Sequence, residues 1–230
     1  MKKLTVFLAL AVLMCLLLSQ SILALPSETD SGILYSVHDG YVTVEGFNYA
    51  GTTMRVPKEI EGLPVKYIAP QACRSNEAIA ELYLPETVIE IGEFAFAECE
   101  NLTKVVMKGA EKIGFSAFAR CDKLSSISLP SNLEVIDDSA FEGCTVLGKV
   151  KIPKSVTKIG VDAFSGCDRL RFDASENDYA KEYAKQYSIP TSFFETWEFT
   201  VIMLAAACAA VFALLFVIRK TGVVKKIFKK

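Results

Sequence analysis

The sequence predicts an α/β repeat solenoid, and three observations carry the prediction. Cys99, Cys121, Cys144 and Cys167 stand 22, 23 and 23 residues apart. Each lies at a fixed offset from an isoleucine, an Ala-Phe pair and a leucine. Between these marks run short alternating apolar segments, three of them followed by proline at Pro85, Pro130 and Pro153. Self-similarity at a period of 20–50 residues is the signature of a chain whose units stack, because no single unit buries its apolar face alone.

One copy is readable in order. Ile91, Ala95, Phe96, Cys99 and Leu102 recur at i, i+4, i+5, i+8 and i+11, which predicts one stripe of a helical stretch. The expected core is Ile91, Phe96 and Cys99, then Ile113, Phe118 and Cys121, then Ile136, Phe141 and Cys144, then Ile159, Phe164 and Cys167. A strand follows in each copy: Leu102-x-x-Val105-x-Met107, Leu124-x-x-Ile127-x-Leu129, Leu147-x-x-Val150-x-Ile152. Alternate residues point inward, and proline ends a strand because it lacks the ladder donor. A weaker first copy has Ile68, Ala72, Cys73 in the phenylalanine place, Asn76 in the cysteine place, and Ile79. That makes five copies.

The run from Leu84-Pro85 through Ile91-Gly92, Ala95-Phe96, Cys99, Leu102, Val105 and Met107 resembles the signature of the BspA-type leucine-rich repeat family of bacterial and protist surface proteins. The likeness covers residues 56–172. This copy pattern departs from the family's at Asp137, which replaces glycine, and by one residue missing before Ile113, which predicts a small kink near residues 107–113. The resemblance implies an extracellular binding module for host matrix, host cells or other microbes.

A solenoid needs caps. Residues 25–55 are expected to form the first, a hairpin over 33–47 turning at Asp39-Gly40. Residues 173–190 are expected to form the second, a helix with Tyr179, Tyr183 and Tyr187 at i, i+4 and i+8, stopped by Pro190. Beyond both caps the sequence turns apolar. Residues 1–24, with Lys2 and Lys3 before a run from Leu4 to Leu18, read as a secretory signal peptide. Phe199–Ile218 holds 20 residues without a charge, about 30 Å of helix and enough to cross a bilayer. Six bases follow in the tail 219–230, which the positive-inside rule places in the cytoplasm. The expectation is a single-pass cell-membrane protein with its repeats outside and a short stalk at 191–198.

Composition narrows the function. Residues 25–198 hold 17 bases against all 27 acids, a net of −10, which argues against nucleic-acid binding. A single histidine among 230 residues leaves little for His-based catalysis or metal ligation. The cysteines lack the short spacing of zinc ligands and are read as small core hydrophobes. No cofactor, no metal and no enzymatic activity are expected. His38 is read as a solvated turn residue, and Asp137-Asp138 as solvated turn acids. What remains is the outward side of the strands: Glu81 and Tyr83, Lys104 and Val106, Ser126 and Ser128, Lys149 and Lys151, Arg171 and Asp173. This expected concave face is locally basic and suits an extracellular protein or glycan ligand, adhesion being the leading expectation. The other is a scaffold organising partners in its own envelope, favoured by the short stalk.

Overall fold

The computed structural model of the chain describes residues 27–191 apart from 30 and 49, together with 204–205. Two parallel ladders run its length. The first stacks β3 (Tyr41–Phe47), β6 (Leu63–Ile68), β8 (Glu90–Ile91), β10 (Lys112–Ile113), β12 (Val135–Ile136) and β14 (Lys158–Ile159). The second stacks β4 (Thr53–Arg55), β7 (Glu81–Leu84), β9 (Lys104–Met107) and β11 (Ser126–Ser128). It resumes as the pair β13 (Lys149–Lys151) and β15 (Arg171–Asp173). At the start, β2 (Ile33–His38) folds back on β3 as an antiparallel hairpin, turning at Asp39-Gly40 with Gly40 at φ +86°. β1 (Ser27–Glu28) pairs with β2, and β5 (Glu59–Ile60) with β6.

The stretch expected to be helical is not a helix. In residues 93–98, Phe94 and Glu98 take left-handed φ values of +54° and +62°. The N–H groups then alternate in destination. Those of Ala95 and Ala97 close local turns on Gly92 and Phe94, at 3.3 and 3.1 Å. Those of Phe94, Phe96 and Glu98 donate to Phe115, Ala117 and Ala119 of the next rung, at 2.8–2.9 Å. Rungs beginning at Gln71, Ser116 and Ser139 repeat this arrangement. A helix would keep every bond within itself; here half the donors cross to the neighbouring rung, and the third side becomes a ladder too. The repeats are therefore a β-solenoid of about six turns rather than α/β. The i, i+4, i+5, i+8 pattern came from tight turns that happen to present the same residues inward as a helical stripe would.

Inside, Phe96, Phe118, Phe141 and Phe164 stack face to face, with centroids 5.4, 5.4 and 5.2 Å apart and planes within 15°. Each fully buried side chain of this size is worth about 1.5–3 kcal/mol. The degenerate first copy offers Cys73 in the phenylalanine place, and Phe47 of the hairpin fills the room, 6.1 Å from Phe96. At the far end Phe172 turns edge-on to Phe164, at 5.0 Å and 80°, and stops the column.

The expected kink is absent. β10 keeps register with β8 and β12, and β9 with β7 and β11. The missing residue is absorbed at Gly109, where the backbone runs so close to Glu86 that an added Cβ would lie 2.0 Å from its carbonyl oxygen. Asp137, in the glycine place of its rung, is held between the ammonium groups of Lys158 at 2.6 Å and Lys112 at 3.9 Å.

The C-terminal helix α1 (Asp178–Gln186) closes the core with Ala180, Tyr183 and Ala184. Asn177 caps it: its Oδ1 accepts from the Ala180 N–H at 2.9 Å, and its amide donates to Pro153 and Val156 carbonyls at 2.7 and 2.9 Å. The tyrosine stripe divides. Tyr183 is buried, whereas Tyr179 is 44% exposed and spends its hydroxyl on the edge of β14, at Ile159. Among the described residues no helix is long and apolar enough to cross a membrane. The expected signal peptide, the tail, all of the expected stalk but Thr191 and all of the expected span but Leu204 and Ala205 lie outside them; those last two are helical.

Candidate binding face

The outward positions of the second ladder fall into two rows by strand register. One reads Thr53, Glu81, Lys104, Ser126; the other reads Arg55, Tyr83, Val106, Ser128. Beyond the break, Lys149 pairs with Arg171 and Lys151 with Asp173. Six rungs at about 4.8 Å spacing give a face about 24 Å long. Between β11 and β13 the ladder opens, keeping a 3.4 Å bond from the Gly148 N–H to Ser125. The underlying Ile127 is 9% exposed while its neighbours Val105 and Val150 are at most 1%. The expected continuous face is thus two patches.

The first patch centres on Tyr83. The Arg55 guanidinium lies 3.9 Å from its ring centroid and the Lys104 ammonium 5.4 Å. Lys104 also donates to the Tyr83 hydroxyl at 3.2 Å, and that hydroxyl donates to Glu81 at 2.7 Å. The four side chains form one connected cluster, its aromatic ring fixed by cations and its hydroxyl by a carboxylate. Arg55 was not among the expected face residues, because residues 25–55 read as a hairpin cap. The signal was present: Met54-Arg55-Val56-Pro57 repeats the strand-then-proline form of Leu82-Tyr83-Leu84-Pro85.

The second patch is less basic than its sequence suggests. Lys149 is paired with Asp173 at 3.2 Å and Lys151 with Glu176 at 3.4 Å. Burial works to raise the Asp173 pKa, but the bonds from Lys149 and Ser175 outweigh it and hold the carboxyl below its ordinary value. Val106, Ser126 and Ser128 sit between the patches with their side chains outward.

The core residues occupy the opposite side of each strand or turn. Cys99, Cys121 and Cys144 are fully buried, Cys167 half-buried. Each thiol donates to a carbonyl one rung earlier: Cys99 to Cys73, Cys121 to Phe96, Cys144 to Phe118 and Cys167 to Phe141, all at 3.1–3.2 Å. Burial pushes the Cys121 thiol well up, so this sulfur is filler with a donor and not a nucleophile. Among the described residues no group of three ligating side chains converges. His38 is exposed beside the turn, as expected, and stacks on Tyr41 at 4.9 Å, which meets Tyr67 edge-on.

Comparison with known proteins agrees with this geometry. The family model for the BspA type leucine rich repeat region matches residues 64–195 in six copies, more than half the chain and one copy beyond the five read from the sequence. No curated protein matches the chain. Among solved structures it is similar to the T. pallidum leucine rich repeat protein, at 28% identity over 64% of this chain and 71% of that one, with a TM-score of 0.61. A leucine-rich repeat protein from Bacteroides ovatus is 31% identical over 63% of this chain, with a TM-score of 0.56. The present chain spans 40% of that protein's length. With six matched repeat copies over more than half its length, the chain belongs to the BspA-type leucine-rich repeat family.

Proposed function

We propose that the chain is a membrane-anchored extracellular binding protein that holds a protein or glycan ligand on the outer face of its second ladder. The observation that carries this reading is the Arg55, Glu81, Tyr83 and Lys104 cluster. Tyrosine and arginine dominate the energetics of protein interfaces. Here their side chains are already oriented by one another, so little rotamer freedom remains to be lost on binding. Family membership supports a binding role in general. The apolar segments 4–18 and 199–218, with the basic tail behind the second, support anchorage and an outside location for the repeats.

The test immobilises the full chain in lipid nanodiscs and measures binding to extracellular matrix proteins and to sulfated and sialylated glycans. An Arg55→Glu, Tyr83→Ala, Lys104→Glu triple variant should lose at least tenfold in affinity. A Lys149→Glu, Lys151→Glu, Arg171→Glu variant should lose less, because these cations are already engaged within the protein. Equal binding by the first variant and the parent would remove the face from the reading. Crosslinking in intact cells that captures exclusively envelope proteins of the same cell would replace adhesion by scaffolding.

A further inference from the structure

A β-solenoid ends in open ladder edges, and unpaired edges recruit other chains unless something covers them. At the C-terminal end of this one, three edges must be closed. The first is covered by the Tyr179 hydroxyl, which accepts from the Ile159 N–H at 3.1 Å and donates to its carbonyl. The second is covered by the returning chain, where the Phe172 N–H donates to Pro190 at 2.9 Å and Phe172 pairs with Thr191. The third edge is open among the described residues. In four successive rungs the N–H groups at the three alternate positions all reach the next rung, at 2.7–3.0 Å, the last set being Ser139, Phe141 and Gly143. In the final rung the equivalent groups belong to Asp162, Phe164 and Gly166, and among the described residues they meet no acceptor.

Over that edge lies a hollow of about 330 Å³. Tyr187, Ile189 and Pro190 line it together with the exposed Asp162 and Asp168. Backbone donors in a row accept an extended chain, whose alternate carbonyls lie on one edge. The two carboxylates disfavour an anionic occupant and favour a cationic side chain. We propose that the open N–H edge of Asp162, Phe164 and Gly166 is a docking site for an extended basic peptide segment of a partner protein, which adds as one further rung. The site is separate from the face of the second ladder, so either proposal stands without the other.

Amide exchange in the full chain, held in detergent micelles, tests it. The probe is a blocked octapeptide alternating lysine and valine, with a glutamate and valine octapeptide as control. In the free chain the amides of Asp162 and Gly166 should exchange at least tenfold faster than those of Ser139 and Gly143. The lysine peptide should slow exchange at Asp162, Phe164 and Gly166 at least tenfold and leave the earlier rungs unchanged. The glutamate peptide should have no such effect. Asp162→Asn with Asp168→Asn should weaken lysine-peptide binding at least fivefold; asparagine tolerates the +55° φ of position 162, so the fold is kept. Three results overturn the proposal. One is protection of Asp162 and Gly166 in the free chain that is independent of concentration, which means the chain covers its own edge. Another is protection that rises with protein concentration, which means a second copy docks there. The third is a lysine peptide that leaves the three amides unchanged.

Discussion

The Cys121 thiol donates to the carbonyl oxygen of Phe96, 3.1 Å away and one rung earlier. The Phe96 N–H meets Ala117 of the next rung at 2.8 Å. Cysteine is small, apolar enough for a fully buried place, and still carries a donor. The repeated cysteine thus answers a backbone demand that recurs in every turn.

Replacing Cys121 by alanine should destabilise the protein by about 1–3 kcal/mol, the cost of a buried carbonyl without a donor. Serine restores a donor, so Cys121→Ser should unfold at a higher denaturant midpoint than Cys121→Ala. If serine is the worse of the two, the sulfur acts by filling space alone. Thiol labelling of the folded chain at pH 8 should modify Cys167 first, since it is half-buried while Cys99, Cys121 and Cys144 are sealed.

Asn177 is buried at 4% exposure and makes three hydrogen bonds that join the last rung to α1. Asn177→Ala should cost about 2–4 kcal/mol, a lost helix cap and two orphaned carbonyls. Asn177→Asp keeps the cap acceptor but sets a buried carboxylate oxygen against the Pro153 and Val156 carbonyls, and should be the least stable of the three. Chemical denaturation of the three proteins checks the order.

Arg120 sits at φ +58°, the place that Gly143 and Gly166 occupy in later rungs at +73° and +72°. The left-handed backbone costs a side-chain residue about 1–2 kcal/mol. Glycine forfeits about 0.5–1 kcal/mol through the greater freedom of its unfolded chain. Relief of the backbone strain outweighs that loss, so Arg120→Gly should raise the melting temperature by a few degrees, read by calorimetry.

Bonds from Arg74 and Ser75 hold the Glu98 carboxyl below its ordinary 4.5. A depressed folded pKa contributes stability that is fully present above the unfolded value and is lost as pH falls through the folded one. Glu98→Gln should therefore flatten the melting temperature profile below about pH 4.5 and leave its shape at neutral pH unchanged, with a small amplitude because the pair is solvent-exposed.

The period, the inward file of Ile, Phe and Cys, and the hairpin turn at Asp39-Gly40 were all legible in the sequence. Each is a local pattern repeated often enough to exclude accident. The conformation of residues 93–98 was not, because alternating left-handed residues and a helix present the same side chains to one side. Where an N–H finds its partner is decided by the next rung, 22–23 residues away. Nor did the sequence place Arg55 over Tyr83, since it read as part of the cap rather than as a rung. The open edge at Asp162, Phe164 and Gly166 belongs to the same class. Copies alike in sequence differ in what lies beyond them, and among the described residues the last rung has no next rung to take its N–H groups.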